Sequence, residues 1–256
     1  MMRRVYALGL ILLVSAIGAL AQDERRVTSP DGQIEFRLFL DKPDPASLFR
    51  LAYQVYFHGK RLINTSFLGL EIHNQPVLGE NVGLIASKTE STDRYRSLVA
   101  EYMQNGSLGR RINMEVRVYN DGVAFRYFVP QSTPLMKMLL ENEATEFEFV
   151  QDAETYPSHL PVSRIAPKAV MPLPFVVEQP GIGWVSITET PAGNYPRMYL
   201  SRTDGKIMIS RLPPLANESD FVWEGKTPLT CPWRVLVIGA TRASVTESKI
   251  ENELKP

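Results

Sequence analysis

Ile112-Asn113-Met114-Glu115-Val116-Arg117-Val118-Tyr119-Asn120-Asp121-Gly122-Val123-Ala124-Phe125-Arg126-Tyr127-Phe128-Val129 decides the fold class. Ile112, Met114, Val116 and Val118 alternate with Asn113, Glu115, Arg117 and Tyr119, and apolar residues resume at Val123, Phe125, Tyr127 and Val129. Successive side chains of a strand point to opposite faces, so a period of two describes a strand with one buried face. Asp121-Gly122 between two such runs is a strong hairpin signal, because tight hairpin turns call for positive φ.

The same period recurs on both sides of this hairpin. Ile34, Phe36, Leu38 and Leu40 form one run; Leu51, Tyr53, Val55 and Phe57 form another, stopped by His58-Gly59-Lys60. Further short strands are expected at 147–149, 184–188, 198–200, 206–210 and 234–238. The 19 prolines fall largely between these runs, and Pro157, Pro161, Pro167, Pro172 and Pro174 predict an extended, irregular connection over 157–180. The best helix candidate is 244–254, where Ser244 and Glu247 have capping-box spacing. Many short strands without βαβ alternation predict an all-β fold, a large β-sandwich.

The chain opens with Arg3-Arg4, an apolar run from Val5 to Leu20 broken only by Ser15, and Ala19-Leu20-Ala21 before Gln22-Asp23-Glu24. A basic start, a short apolar middle and an A-x-A exit describe a cleavable signal peptide over 1–21. The expected product is then one domain over 22–256, exported to the periplasm or secreted. No later run is long and apolar enough for a helical membrane span. With 28 basic and 28 acidic residues, and Arg3 and Arg4 lost on cleavage, the charge is near balance. Neither nucleic acid nor an anionic lipid surface is an expected partner, since both select for a basic face. Cys231 is the single cysteine, so no internal disulfide is possible. The apolar run 235–238 close behind it predicts a buried spectator.

Familiar catalytic motifs are missing: there is no phosphate-cradling glycine loop, no dinucleotide fingerprint and no G-x-S-x-G elbow. His58, His73 and His159 lack paired metal-ligand spacing and read as turn and surface residues. The aromatic residues suggest sugar binding, because apolar sugar faces stack on Trp and Tyr. Trp184, Tyr195, Tyr199, Trp223 and Trp233 are candidate platforms, although a sandwich of this size also buries aromatics in its core. Trp184, Tyr195 and Trp223 are retained as substrate-binding candidates. Glu189 closes the run Trp184-Val185-Ser186-Ile187-Thr188, just before Thr190-Pro191 breaks the ladder. A charge at a strand exit also has ordinary structural uses.

Several segments together resemble the N-terminal domain of glycoside hydrolase family 97. They are Ser29-Pro30-Asp31-Gly32, the string from Arg117 to Tyr127, Thr145-Glu146-Phe147-Glu148-Phe149, Ile187-Thr188-Glu189 and Pro232-Trp233-Arg234-Val235. The resemblance runs from about Val27 to Pro256. It implies a β-super-sandwich of the galactose mutarotase-like kind packed on a (β/α)₈ barrel, with calcium-dependent α-glucosidase or α-galactosidase activity. It further implies that the barrel carries the catalytic acid and its partner carboxylate, while the sandwich lends one glutamate to calcium. Glu189 occupies that position. Two positions depart from the family's pattern: Thr190 stands where Ala is usual, and Cys231 where Ser is usual.

The resemblance places the approach to the barrel at 252–256. A barrel takes about 250 residues, and glycoside hydrolysis needs two carboxyl groups flanking the scissile bond. The chain is therefore expected to carry no catalytic pair. It should bind calcium weakly or not at all alone, take an α-glucoside or α-galactoside as ligand, and work with a catalytic barrel chain. A free-standing carbohydrate-binding module is the alternative, with a mutarotase-like isomerase behind it. An apolar barrel-facing patch is expected near Glu189 and the C-terminus.

Overall fold

The computed structural model describes residues 22–254 except 107–108, 136, 192 and 215–220; the signal-peptide reading of 1–21 lies outside the described residues. Two antiparallel sheets dominate. The larger is nine-stranded. Its order runs Glu154–Tyr156, Phe175–Gln179, Gly183–Glu189, Arg234–Gly239, Gly122–Val129, Arg111–Tyr119, Tyr95–Gln104 and Val82–Ser91, with Leu229–Thr230 also pairing Gly122–Val129. The smaller is a four-stranded meander of Gln22–Thr28, Ile34–Asp41, Arg50–Phe57 and Lys60–Phe67. Two three-stranded sheets complete the wall, one of them containing Met138–Glu143.

The two main sheets face each other. Phe36 and Tyr53 of the smaller sheet lie 5.9 and 5.1 Å, centroid to centroid, from Phe125 of the larger. All three rings are fully buried. The alternation read from the sequence therefore places one face of each strand in a shared core, as an all-β sandwich requires. Arg234–Gly239 is buried along its whole length. Leu236 and Ile238 enter the inter-sheet core, while Val235 and Val237 join a second cluster on the outer face. That cluster is covered by the C-terminal segment through Val245, Ile250 and Leu254. A continuous apolar run is what a strand buried on both faces needs.

The structure corrects four expectations. The hairpin at Asn120-Asp121 is present, but neither turn residue nor Gly122 has positive φ. Gly122 is required for space instead: a Cβ there would sit 2.4 Å from the Leu236 carbonyl oxygen on the neighbouring strand. The left-handed two-residue turn is His58-Gly59, with φ of 49° and 73°. Second, the irregular connection ends at Pro174, because Phe175–Gln179 pairs Gly183–Glu189. Its apolar Phe175 and Val177 gain core burial that outweighs the preceding prolines.

Third, the expected helix over 244–254 is two short ones, Arg242–Thr246 and Ile250–Glu253. The capping box is formed by Thr241 and Ser244, not Ser244 and Glu247, because the first turn starts three residues earlier. Fourth, the large apolar side chains exposed among the described residues are Leu48, Phe49, Ile85, Met103, Leu160 and Val170. None of them belongs to the C-terminal segment or the Glu189 loop, since that segment turns its own apolar residues onto the sheet. Among the described residues, no helix is long and apolar enough to cross a membrane.

Candidate functional site

Glu189 is the last residue of Gly183–Glu189 and pairs directly with Arg234, the first residue of Arg234–Gly239. Alternation from Val185 and Ile187 puts Glu189 on the inner face at the end of the sandwich, and alternation from Leu236 does the same for Arg234. Opposite charges directly across an antiparallel pair attract. Arg234 Nη1 donates to Glu189 Oε2, while the Met198 backbone N–H donates to Glu189 Oε1 at 2.9 Å. The Glu189 side chain keeps 15% exposure, whereas Arg234 has none.

Behind Arg234 lies a third charge that the sequence reading missed. Glu143, at the end of Met138–Glu143, is fully buried and accepts from Arg234 Nε at 2.9 Å and Nη2 at 2.5 Å. Bidentate pairing of this kind is the strongest common ion-pair geometry. Tyr195 Oη donates to Glu143 Oε1 at 2.7 Å, and the Cys231 thiol donates to Tyr195 Oη at 3.6 Å. Glu143 sits in Glu141-Asn142-Glu143-Ala144-Thr145-Glu146, where nothing local separates the buried acid from its exposed neighbours. Arg234 did leave a signal: a charge heading an apolar run asks for a buried partner.

One guanidinium thus holds two carboxylates. Burial pushes the Glu189 carboxyl above its ordinary range, and the Glu143 charge adds to this; Arg234 and the Met198 amide act in the opposite direction without overcoming it. Burial alone would lower the Arg234 guanidinium, but Glu143 first and Glu189 second more than offset it and raise it. The Tyr195 hydroxyl and Cys231 thiol are both pushed well up, chiefly by burial. Cys231 is therefore a protonated, unreactive thiol, in keeping with its expected role as spectator.

In front of Glu189 is a cleft of about 190 Å³ lined by Glu189, Thr190, Pro191, Tyr195, Arg197 and Pro232, with Gly193 at its rim. Thr190 ties the loop to the segment leading into Arg234–Gly239. Its N–H donates to the Trp233 carbonyl at 3.1 Å, and its Oγ1 accepts from the Trp233 N–H at 3.2 Å. Tyr195 and Trp223 come together, with ring centroids 6.3 Å apart, and Trp223 Nε1 donates to Asn194 Oδ1 at 3.4 Å. Each ring is only 8% exposed. Trp184 is not brought to this cleft. It lies on the opposite face of the Glu189 strand, five residues away, packed edge-on to Tyr156 at 6.1 Å. His58, His73 and His159 stay apart, and His73 Nδ1 lies 2.7 Å from Glu141 Oε1.

The donor set does not fit calcium by itself. The ion takes about 6–8 oxygens, and among the described residues no three His, Cys, Asp or Glu converge on one point. Both Glu189 oxygens already accept hydrogen bonds, one of them from a cation.

The profile described as "Glycosyl-hydrolase 97 N-terminal" matches residues 27–256. A "Retaining alpha-galactosidase" of Bacteroides thetaiotaomicron is 24% identical over 91% of this chain and 41% of its own length. A "Probable retaining alpha-galactosidase" of Streptomyces bingchenggensis is 27% identical over all of this chain and 44% of its own. The chain thus spans about two fifths of the curated relatives it matches. Among solved structures, a glycoside hydrolase family 97 enzyme of Pseudoalteromonas sp. strain K8 in complex with acarbose superposes with a TM-score of 0.79 at 21% identity, covering 91% of this chain and 38% of that one. A beta-arabinopyranosidase superposes with a TM-score of 0.72 at 20% identity, over 86% of this chain and 40% of that one. At such identities the superpositions speak for the fold.

Proposed function

This chain belongs to the glycosyl-hydrolase 97 N-terminal family, and from that premise we propose that it is the sugar-facing accessory domain of an exported, periplasmic or secreted α-glycosidase. The observation that carries the proposal is the Glu189 cleft. A partly exposed carboxylate is clamped by a buried arginine that is itself locked to a buried glutamate. A carboxylate held in this way is preorganised, and fixed acceptors are what orient sugar hydroxyls. The family membership supports a (β/α)₈ barrel as the partner that supplies the acid and base of hydrolysis. The relatives named as alpha-galactosidases favour an α-galactoside over an α-glucoside as ligand.

Tyr195 forms part of the cleft wall and hydrogen-bonds Glu143, and Trp223 packs on Tyr195 from behind it. Trp184, on the other face, would serve a different contact. Glu189 offers at most two oxygens to a calcium ion, so it is at most one shared ligand among several supplied from elsewhere.

The test is release of p-nitrophenol from the α-galactoside and α-glucoside by the purified chain, with and without calcium. We expect no turnover. The same chain should bind α-galactosides by calorimetry and bind them more weakly as Glu189→Gln. Calcium-dependent turnover that falls in Glu189→Gln would mean that the sandwich holds its own active site, and would overturn the proposal.

A further inference from the structure

Among the described residues two arginines are fully buried, Arg234 and Arg110. Arg234 has two carboxylates. Arg110 has none: its Nε donates to Gln104 Oε1 at 2.7 Å and its Nη2 to the Pro76 carbonyl at 2.8 Å. Both acceptors are neutral. Nη1 has no partner among the described residues and is sealed from solvent. Gln104 is in turn fixed, because its Nε2 donates to the Glu80 and Val77 carbonyls at 3.0 and 3.3 Å. The guanidinium is thereby held in one orientation by a braced amide. Burial pushes its pKa down, and no neighbouring acid counters the effect.

A buried cation without a counter-ion is costly and rare. Arg carries five N–H groups, of which two are engaged here, leaving the Nη1 pair and the second Nη2 hydrogen free among the described residues. That remaining edge is the fork that meets a carboxylate in bidentate fashion. Arg110 lines a cleft of about 250 Å³ together with Leu48, Pro76, Glu80, Asn81, Gln104 and Asn105. Asn105 Nδ2 donates to Asn81 Oδ1 at 3.2 Å, which leaves the Asn81 amide nitrogen as a second donor on the wall. Glu80 also lines the cleft without ion-pairing to Arg110, so any anion bound there has one negative neighbour to tolerate. Leu48, 54% exposed, lines the solvent side of the same cleft.

We propose that the cleft between the 76–81 segment and Arg110 is a second ligand site, distinct from the Glu189 cleft, that takes a small monocarboxylate as the counter-ion of Arg110. The carboxylate has two sources of the same chemistry: an acidic sugar, or a simple carboxylic acid.

The experiment follows thermal unfolding of the full chain at constant ionic strength in titrations with sodium galacturonate, sodium acetate, galactose and sodium chloride. The expected result is a saturable rise in midpoint with galacturonate and none with galactose or chloride. An acetate response equal to galacturonate assigns recognition to the acid group alone, and a weaker one assigns it to a sugar acid; both support the site. Arg110→Met should lose the response, and it should fold because an uncompensated charge is removed. Leu48→Trp, which crowds the rim without touching Arg110, should also lose it and serves if Arg110→Met does not fold. No response to either carboxylate, an equal response to chloride or galactose, or a response retained in these variants would each overturn the proposal.

Discussion

Arg234 is the residue on which the candidate site depends. Replacing it with methionine leaves Glu143 buried and charged without a cation, a change that costs about 3–5 kcal/mol when one partner of a buried pair is removed. Glu189→Gln keeps an acceptor for the Met198 amide and leaves Arg234 paired with Glu143, so it should cost about 1 kcal/mol. Urea denaturation of the two variants measures the difference, and equal losses would deny Glu143 its role as the main partner. The pH dependence follows from the same geometry. The folded Glu189 carboxyl is raised above its unfolded value, so it favours folding most when protonated. That contribution is present below the unfolded pKa and is lost as pH rises through the folded one. Between those two values the wild type should lose stability relative to Glu189→Gln as pH increases. A relative gain in that window would show that Arg234 outweighs burial.

At the scale of elements, the two hairpin glycines solve different problems. Gly59 has φ of 73° with open space around its Cα, so Gly59→Ala pays the left-handed penalty of about 1–2 kcal/mol, and Gly59→Asn recovers part of it. Gly122 is confined by the Leu236 carbonyl and Val237 Cα, so both Gly122→Ala and Gly122→Asn force the strand pair apart. Overpacking of that kind costs about 1–3 kcal/mol, with no relief from asparagine. Unfolding midpoints of the four variants decide the matter, and rescue of Gly122 by asparagine would restore the turn-conformation reading. The edge strand Val82–Ser91 shows why some elements escaped the sequence. Residues 85–91 are exposed on both faces, and Ser87-Lys88-Thr89-Glu90-Ser91 carries no alternation to read. Only its ladder with Tyr95–Gln104 makes it a strand.

At the scale of the whole molecule, the lack of a donor cluster around Glu189 among the described residues predicts that calcium leaves the thermal midpoint of this chain unchanged. A ligand that binds only the folded state raises the midpoint with concentration, so a saturable calcium shift abolished in Glu189→Gln would refute this. The all-β class, the principal hairpin, the strand at 234–238 and the family resemblance were legible in the sequence, because each rests on residues adjacent in the chain. Period-two alternation is a local consequence of strand geometry, and a continuous apolar run is a local consequence of burial on both faces. The charge cluster was not legible. Glu143 and Arg234 stand 91 residues apart and belong to different sheets, and no spacing rule brings them together. The same holds for Arg110 and the Pro76 carbonyl, 34 residues apart, whereas the division of Trp184 from Glu189 between opposite faces follows from their odd spacing on one strand. Sheet order and the stacking of sheets set those contacts, since a side chain's partner across a core depends on which strands become neighbours, and local patterning does not encode that.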